Sequence, residues 1–595
     1  MVVGVRPDPD QSSDTVNKRA SALKATPPLI LTLAAGIICY GMFFNRGLGL
    51  SVIGYSIAPA ERVMQGEVPY RDFLFNYTPG ILWVNAALMK AFGASLMTTR
   101  IGLFAFKLLT LLTLFYVARR LTNAWCAVIP VVLTLAWPGY QQAFNVYPDQ
   151  YLMLFALAGL LCLLNYDHTG RARWLVLCGV STGAVFLLKY NVGVFLLVLG
   201  AVAVAIKELM TTGRPAIAAK GVALYTTGFA FVAAILVAYL AYNQAFGAMV
   251  GHFLHHAAEY SEARSVGLPS PGSLIPAAVV LLPPIVVGLL VLAGAGRAVE
   301  VYWIAALLFI AVVLLQATRG NVFNDSTIAW VAYFPPLIFA VATAVALWQL
   351  RHKERAADWW RNNGAITMTG LFALAVYLEV FPRADYFHLV RVLPPVFLFF
   401  FAMLARSFPA LKDRLRKRVP SPFRAGLLIA STPLVLLIVI GWKNTWEPQF
   451  ESGFHFRDKR ELAIERGRGI FVEERQAELT EGLVQLIQAN SSKDDYIFSF
   501  AQRGSAFYFL AERRNATRFL WWRSVGISSD EREAVMTMIA DRRAKLIIVQ
   551  DVAANKEIQD FIGANYDSIG TVTDIAVYGL RKPASDAPSN QPPVN

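Results

Sequence analysis

Residues 45–100 read NRGLGLSVIGYSIAPAERVMQGEVPYRDFLFNYTPGILWVNAALMKAFGASLMTTR and lie between two apolar segments. They do not form a simple connection. The spacing predicts a short helix over 51–64 that stops at Gly66, then a Pro-Tyr-Arg-Asp turn at 69–72 and an aromatic run. A Thr-Pro-Gly break at 78–80 and a second short amphipathic piece reaching Lys90 follow. A loop of this length with this much structure is usually functional.

Around it the composition is that of a membrane protein. Of 595 residues, 56% are hydrophobic and 16% are charged, against about a quarter charged in soluble domains. Many apolar runs are near the length of about 20 residues that crosses the hydrocarbon layer as a helix, which makes the chain a polytopic α-helical membrane protein. The formal charge of +14 does not imply nucleic acid, because much of the excess Lys and Arg sits in short loops beside apolar segments, where it orients the chain in the bilayer. Cys39, Cys126, Cys162 and Cys178 all fall within apolar segments and offer no disulfide framework. The polar stretch 1–26 carries Lys18, Arg19 and Lys24 with no small-residue cleavage pattern after the next apolar run. It is expected to stay on as a cytoplasmic tail.

Charge fixes the expected topology. With the tail inside, a first span at 28–44 delivers residues 45–100 to the outer face. If 80–92 were a second span, Arg119 and Arg120 would fall outside and every later basic loop would be inverted. The piece is therefore expected to lie along the membrane surface, with the second span at 101–117. Inside turns then carry Arg171 and Arg173, Lys207 to Lys220, Arg297, Arg351 to Arg361, and the basic run 412–424. About thirteen spans result, the last at 427–442. The membrane domain thus covers 27–442. Residues 443–582 alternate short β-like runs (496–500, 518–522, 546–549, 571–580) with helical patterns (505–513, 530–543, 555–565), which predicts a soluble α/β domain on the outer side. The Pro-, Ser- and Asn-rich tail 583–595 is expected to be disordered.

This topology gathers polar residues on one face. The first loop contributes Glu61, Arg71, Asp72 and Tyr77; the next outer turn contributes Asp149; Lys189 lies between two apolar helices; and Arg264, Arg383, Asp385 and His388 follow in later turns. Ionisable groups near apolar helix ends are costly unless paired or used. Each also has a plain structural reading. Asp149 follows Pro148 and can simply cap its helix, Lys189 can snorkel to the interface, and Arg71 with Asp72, or Arg383 with Asp385, can be satisfied turn pairs. His252, His255, His256 and Glu259 share a helical face, compatible with a divalent metal or with a solvated interfacial surface. Aromatics of the 70–77 run read as interfacial packing.

The run GEVPYRDFLFNYTPGILWVNAALMKAFG at 66–93, followed by a span ending in a basic pair, resembles the first outer loop of family 39-like membrane glycosyltransferases of the GT-C fold. That group includes protein O-mannosyltransferases and the lipid A aminoarabinose transferase. The stretches YPDQYLMLFALAGLLCLL, GVSTGAVFLLKYNVGVFLL and PRADYFHLVRVLPPVF resemble the same superfamily's later segments. The resemblance implies transfer of a sugar from a polyprenyl-phosphate donor to a glycan or lipid acceptor on the outer face of a bacterial plasma membrane. It names no sugar and leaves open whether a divalent metal takes part.

Such an enzyme needs a groove for the lipid tail, basic groups for the phosphate left behind, and a carboxylate to activate the acceptor hydroxyl. Lys189, Arg264 and Arg383 are the expected phosphate ligands, with Arg62 and Arg71 behind them, and Asp385, His388 and Tyr77 beside the substrate. In the family the carboxylate stands about a dozen residues before the Gly-Glu-x-Pro-Tyr turn. Here those positions are Val52, Ile53 and Gly54. Asp149, Asp72 or Glu61 could take the role, with Asp149 favoured. A non-catalytic lipid-glycan binding protein and a transporter of polyprenyl-linked substrates are the alternative readings.

Overall fold

The computed structural model describes residues 26–136, 146–254, 356–381, 388, 391–399, 401–402, 405, 459–501, 503–520, 529–550 and 556–581. Among them, five helices are long and apolar enough to cross a membrane. These are α4 (Leu96–Leu121), α6 (Pro148–Thr169), α8 (Tyr190–Thr212), α9 (Pro215–Tyr242) and α10, which runs from Ala356 to Tyr377 and ends in a 3-10 turn, Leu378–Val380. Shorter apolar helices α1 (Thr26–Gly41), α3 (Gly80–Phe92) and α7 (Arg173–Leu188) accompany them, with α5 at Val128–Ala136. The expected second span is present but longer than 101–117. Its start is fixed by Ser95, whose Oγ accepts the Thr98 N–H at 3.1 Å as an N-cap.

Between apolar helices in lipid there is little hydrophobic driving force, so tight contact depends on small residues. The crossing of α7 and α9 shows this. A Cβ placed on Gly179 would stand 2.0 Å from the Tyr225 carbonyl oxygen, and one on Gly228 would stand 2.2 Å from the Val176 carbonyl oxygen. Two backbones touch there, locking the helix that ends at Lys189.

The first loop folds into a continuous buried structure. A short turn Leu50–Val52 runs into a π-helical segment Ile53–Ile57 and then α2 (Ala58–Met64). Single π turns inside α-helices are frequent at functional sites. The aromatics of the 70–77 run are core residues rather than interfacial ones: Tyr70, Phe73 and Phe75 are all fully buried. Tyr70 takes a positive φ of 70°, a conformation unfavourable for a bulky side chain. It is held there because its N–H bonds the Phe73 carbonyl at 2.6 Å and its hydroxyl donates to the Tyr77 carbonyl at 2.5 Å. The α3 helix buries Ile81, Leu82, Asn85, Ala86 and Met89 inside the protein.

The C-terminal region is a mixed α/β unit. A five-stranded sheet runs in the order β4 (Arg514–Asn515), β3 (Tyr496–Ser499), β5 (Leu546–Val549), β7 (Ile575–Leu580) and β6 (Tyr566–Val572). β3 is parallel to β4 and β5; β5–β7 and β7–β6 are antiparallel. Helices α11 (Glu474–Ala489), α12 (Ala506–Leu510), α13 (Ser529–Asp541) and α14 (Lys556–Asn565) accompany it, with the hairpin of β1 (Lys459–Glu461) and β2 (Phe471–Glu473) at its start. Two expectations are corrected. The single strand at 571–580 is two strands, folded at a tight turn where Thr573 takes φ 53°. Residues 518–520 form no strand, because Phe519 N–H turns back to the Thr517 hydroxyl and the Asn515 side chain donates to the Phe519 carbonyl.

This unit is joined to the first loop by main-chain bonds. Gly47 N–H donates to the Phe471 carbonyl at 2.8 Å, Phe471 N–H to the Asn45 carbonyl at 2.9 Å, and Leu74 N–H to the Arg518 carbonyl at 2.9 Å. Apolar residues of both parts belong to one buried cluster.

Candidate active site

Four charged side chains from four chain segments meet where helices end. Pro148 opens α6 from an extended Tyr147 and so sets Asp149 in its first turn, facing inward and only 4% exposed. Lys189 is the single extended residue between α7 and α8 (φ −155°, ψ 104°), which turns its side chain toward Asp149. Glu379 sits in the 3-10 turn that closes α10, and Arg391 begins the helical stretch 391–399. Lys189 Nζ donates to Asp149 Oδ1 at 2.7 Å and also to Glu379 Oε1, while Arg391 Nη1 donates to Asp149 Oδ2 at 2.7 Å. All four side chains are at most a tenth exposed.

Removing such ions from water costs several kcal/mol each, recovered only where geometry and hydrogen bonding are good. Here each oxygen of Asp149 meets a different cation. Aromatic rings close the sides: Lys189 Nζ lies 5.2 Å from the Tyr77 ring centre and the Arg391 guanidinium 4.6 Å from that of Tyr147. Tyr55, from the π-helical segment, stands edge-on to Tyr77 at 5.8 Å. Burial pushes the Tyr77 phenol up to about 12, with Lys189 opposing. It stays a neutral hydrogen-bond donor at physiological pH. One residue from Asp149, Gln150 accepts from the buried Lys107 at 2.6 Å.

Other expected residues stand elsewhere. Asp149 caps no helix N-terminus; the cap residue is Tyr147, without a side-chain bond. Lys189 does not snorkel, since it is 4% exposed and ion-paired. Asp72 closes its own turn, accepting the Val68 N–H at 2.7 Å and a fork from Arg71 at 2.8 Å on each oxygen. Those Arg71 bonds, with the turn amide, hold its carboxyl below the usual carboxylate range. Glu61 is ion-paired with Arg466 at 2.6 Å, and burial pushes its carboxyl up while Arg466 pulls it down. Arg62 pairs with Glu67 at 2.6 Å and donates to the Thr517 carbonyl at 3.1 Å. His388 is half-buried. Arg264, Arg383, Asp385, His255, His256 and Glu259 lie outside the described residues. Among the described residues no cluster of His, Cys, Asp and Glu is placed to hold a metal ion. Glu379 and Arg391 escaped the sequence reading, although an acid within LFALAVYLEVF and an arginine within HLVRVLPPVF are the intramembrane charges that signal a site.

Of the three positions where the resemblance places a carboxylate, Gly54 is closed to any side chain. A Cβ on Gly54 would stand 1.9 Å from the Ser505 hydroxyl and 2.9 Å from the Ser505 carbonyl carbon, while Val52 and Ile53 are buried. No larger side chain fits there while the C-terminal unit is docked.

Comparison with known proteins is consistent with this architecture. Residues 76–239 match the family described as dolichyl-phosphate-mannose-protein mannosyltransferase. That segment contains Tyr77, Asp149 and Lys189 and ends before Glu379 and Arg391. Among solved structures, ArnT from Cupriavidus metallidurans bound to undecaprenyl phosphate is 14% identical, covering 92% of this chain and 97% of that one, with a TM-score of 0.51. The chain shares the GT-C fold of that structure. The apo form of the same ArnT is 12% identical over 93% and 98% of the two chains (TM-score 0.49). The apo Archaeoglobus fulgidus oligosaccharyltransferase is 12% identical over 95% and 75% (TM-score 0.49). No curated protein sequence matches the chain. In the GT-C fold seen here, the C-terminal unit covers the first loop and the charge cluster lies at the ends of α6, α7 and α10.

Proposed function

We propose that the chain is a multi-pass membrane glycosyltransferase that moves a sugar from a polyprenyl-phosphate donor to a glycan or lipid acceptor of the cell envelope. The observation that carries this reading is the buried cluster Asp149–Lys189–Glu379–Arg391, set at helix ends beneath the first loop. In the transfer, the acceptor oxygen forms a bond to the sugar's anomeric carbon as the bond from that carbon to the phosphate oxygen breaks. Negative charge then gathers on the leaving polyprenyl phosphate. Lys189 and Arg391 stabilise that charge, and Asp149, gripping both, holds them in place before it develops. Tyr55 and Tyr77 offer ring edges and a hydroxyl donor to the sugar. The proposed setting is a bacterial plasma membrane, with the C-terminal unit on the outer side and no nucleotide sugar involved.

A second reading, a non-catalytic lipid-glycan binding protein, is favoured by one observation: none of Val52, Ile53 and Gly54 is an acid, and Ser505 packed on Gly54 leaves no room for one there. The two are separated by incubating purified protein with a radiolabelled polyprenyl-phosphate sugar and envelope membranes as acceptor, and following the label out of the donor lipid. Transfer by wild type, loss in Asp149→Asn and retention in Asp72→Asn are expected. Donor binding without any transfer by wild type would establish the binding protein instead.

A further inference from the structure

We infer that Glu379 is the base of the transfer, replacing the carboxylate that the family places at the start of the first loop. The inference rests on the glycosyltransferase reading above. Three observations lead to it. First, positions 52–54 carry no acid, and Ser505 leaves no space for one at Gly54. Second, the three carboxylates weighed for this role, Glu61, Asp72 and Asp149, are engaged. Glu61 is bound to Arg466 of the C-terminal unit, Asp72 to Arg71 and the Val68 amide, and Asp149 has a cation on each oxygen. Third, Glu379 lies in the same buried cluster but meets its cation through Oε1 alone, and among the described residues no cation holds Oε2.

Charge balance supports the assignment. Among the described residues Asp149 and Glu379 offset Lys189 and Arg391, so this group of four is formally neutral. The donor is a phosphodiester with one negative charge, and the leaving polyprenyl phosphate carries nearly two. A second charge therefore appears beside Lys189 during transfer. The acceptor hydroxyl loses its proton in the same event, and if that proton goes to Glu379 the total charge of the site is unchanged. Lys189, which bonds both carboxylates, is then released from Glu379 as the phosphate needs it. Bond for bond, the sugar–phosphate C–O bond breaks, the acceptor–sugar C–O bond forms, and the proton moves from the acceptor to Glu379. Glu379 gives up its one ion pair in this step, whereas Asp149, with a cation on each oxygen, would remain held as the anion by the second.

The test uses the full chain in nanodiscs with undecaprenyl-phosphate sugars labelled in the sugar, and measures donor binding, transfer to envelope membranes, and transfer to azide. Azide is already an anion and needs no base. Glu379→Gln is expected to bind donor within about threefold of wild type, to lose about 10² to 10⁴ in transfer to the natural acceptor, and to recover turnover with azide as the glycosyl azide. Glu379→Asp is expected to regain part of the loss. Normal transfer by Glu379→Gln would overturn the assignment and leave the glycosyltransferase reading intact. Lost transfer with no azide recovery in a variant that still binds donor would also overturn it, assigning Glu379 a structural role. A variant that neither binds donor nor folds shifts the decision to Glu379→Asp, where a folded, donor-binding protein without any transfer would overturn it. Absence of transfer by wild type to any acceptor, azide included, would remove the glycosyltransferase reading itself.

Discussion

Two ion-pair systems on this molecule look alike in sequence and differ in kind. Arg71 and Asp72 are neighbours whose side chains are 46% and 29% exposed, and they close the turn in which they stand. Asp149, Lys189, Glu379 and Arg391 are brought together across 40, 190 and 242 residues and are almost completely withdrawn from solvent. The first arrangement needs only local chain geometry. The second exists because four helix ends are fixed by packing, and it carries a desolvation cost that function, not stability, explains.

The sharpest way to break the contrast is at Lys189. Lys189→Met leaves two carboxylates facing each other without their shared cation, and breaking a buried pair in this way costs about 3–5 kcal/mol. A large drop in thermal unfolding temperature and loss of donor binding are expected, with partial recovery of stability in the double variant Lys189→Met/Glu379→Gln. Additive losses in that cycle would show that the two groups are not coupled.

Next in size is the contact between Gly54 and Ser505. Gly54→Ala forces a methyl group into Ser505, an overpacking worth about 1–3 kcal/mol. Limited proteolysis should cut the first loop or the C-terminal unit faster in this variant, and Ser505→Gly should restore protection. Unchanged proteolysis in Gly54→Ala would mean that the two parts separate readily.

The smallest effect is expected at the exposed pair. Arg71→Gln or Asp72→Asn should leave both stability and transfer nearly intact. The pH dependence has a definite sign. Asp72 is held below the usual carboxylate range by Arg71, so its contribution is full above the unfolded carboxylate pKa and disappears as pH falls through the lowered folded value. Thermal unfolding of wild type and Asp72→Asn should therefore converge on acidification below about pH 4. A gap that widens there would contradict the pairing.

The sequence made part of this legible. Asp149 and Lys189 stand out because each is a lone charge at the end of an apolar helix, and Pro148 marks where one of those helices begins. Glu379 carries no such mark, because it stands within the apolar sequence LFALAVYLEVF and only the tightening into a 3-10 turn at Leu378–Val380 buries its acid. Arg391 is less conspicuous than Arg383 and Asp385, which stand in the more polar stretch of sequence. In the C-terminal unit, β5 was visible as Leu546–Val549 because a buried central strand is continuously apolar. The β6–β7 turn was not, because a Thr-Asp pair gives no glycine to announce a left-handed residue. Glu61 looked available to chemistry because its partner, Arg466, is about four hundred residues away and no local pattern links them.

The stitching of the first loop to the C-terminal unit sets an order of events in biosynthesis. Asn45 side chain and Gly469 carbonyl are bonded across 424 residues. At the 5–20 residues per second of translation, the loop emerges roughly 20–85 s before its partner exists. During that interval the Gly47 and Leu74 amides and the Glu61 carboxylate have to be satisfied by water or by other proteins. The junction between the first loop and the C-terminal unit is thus the last part of the molecule to be completed, and a nascent chain holds the loop's ionised groups uncovered until its final quarter arrives.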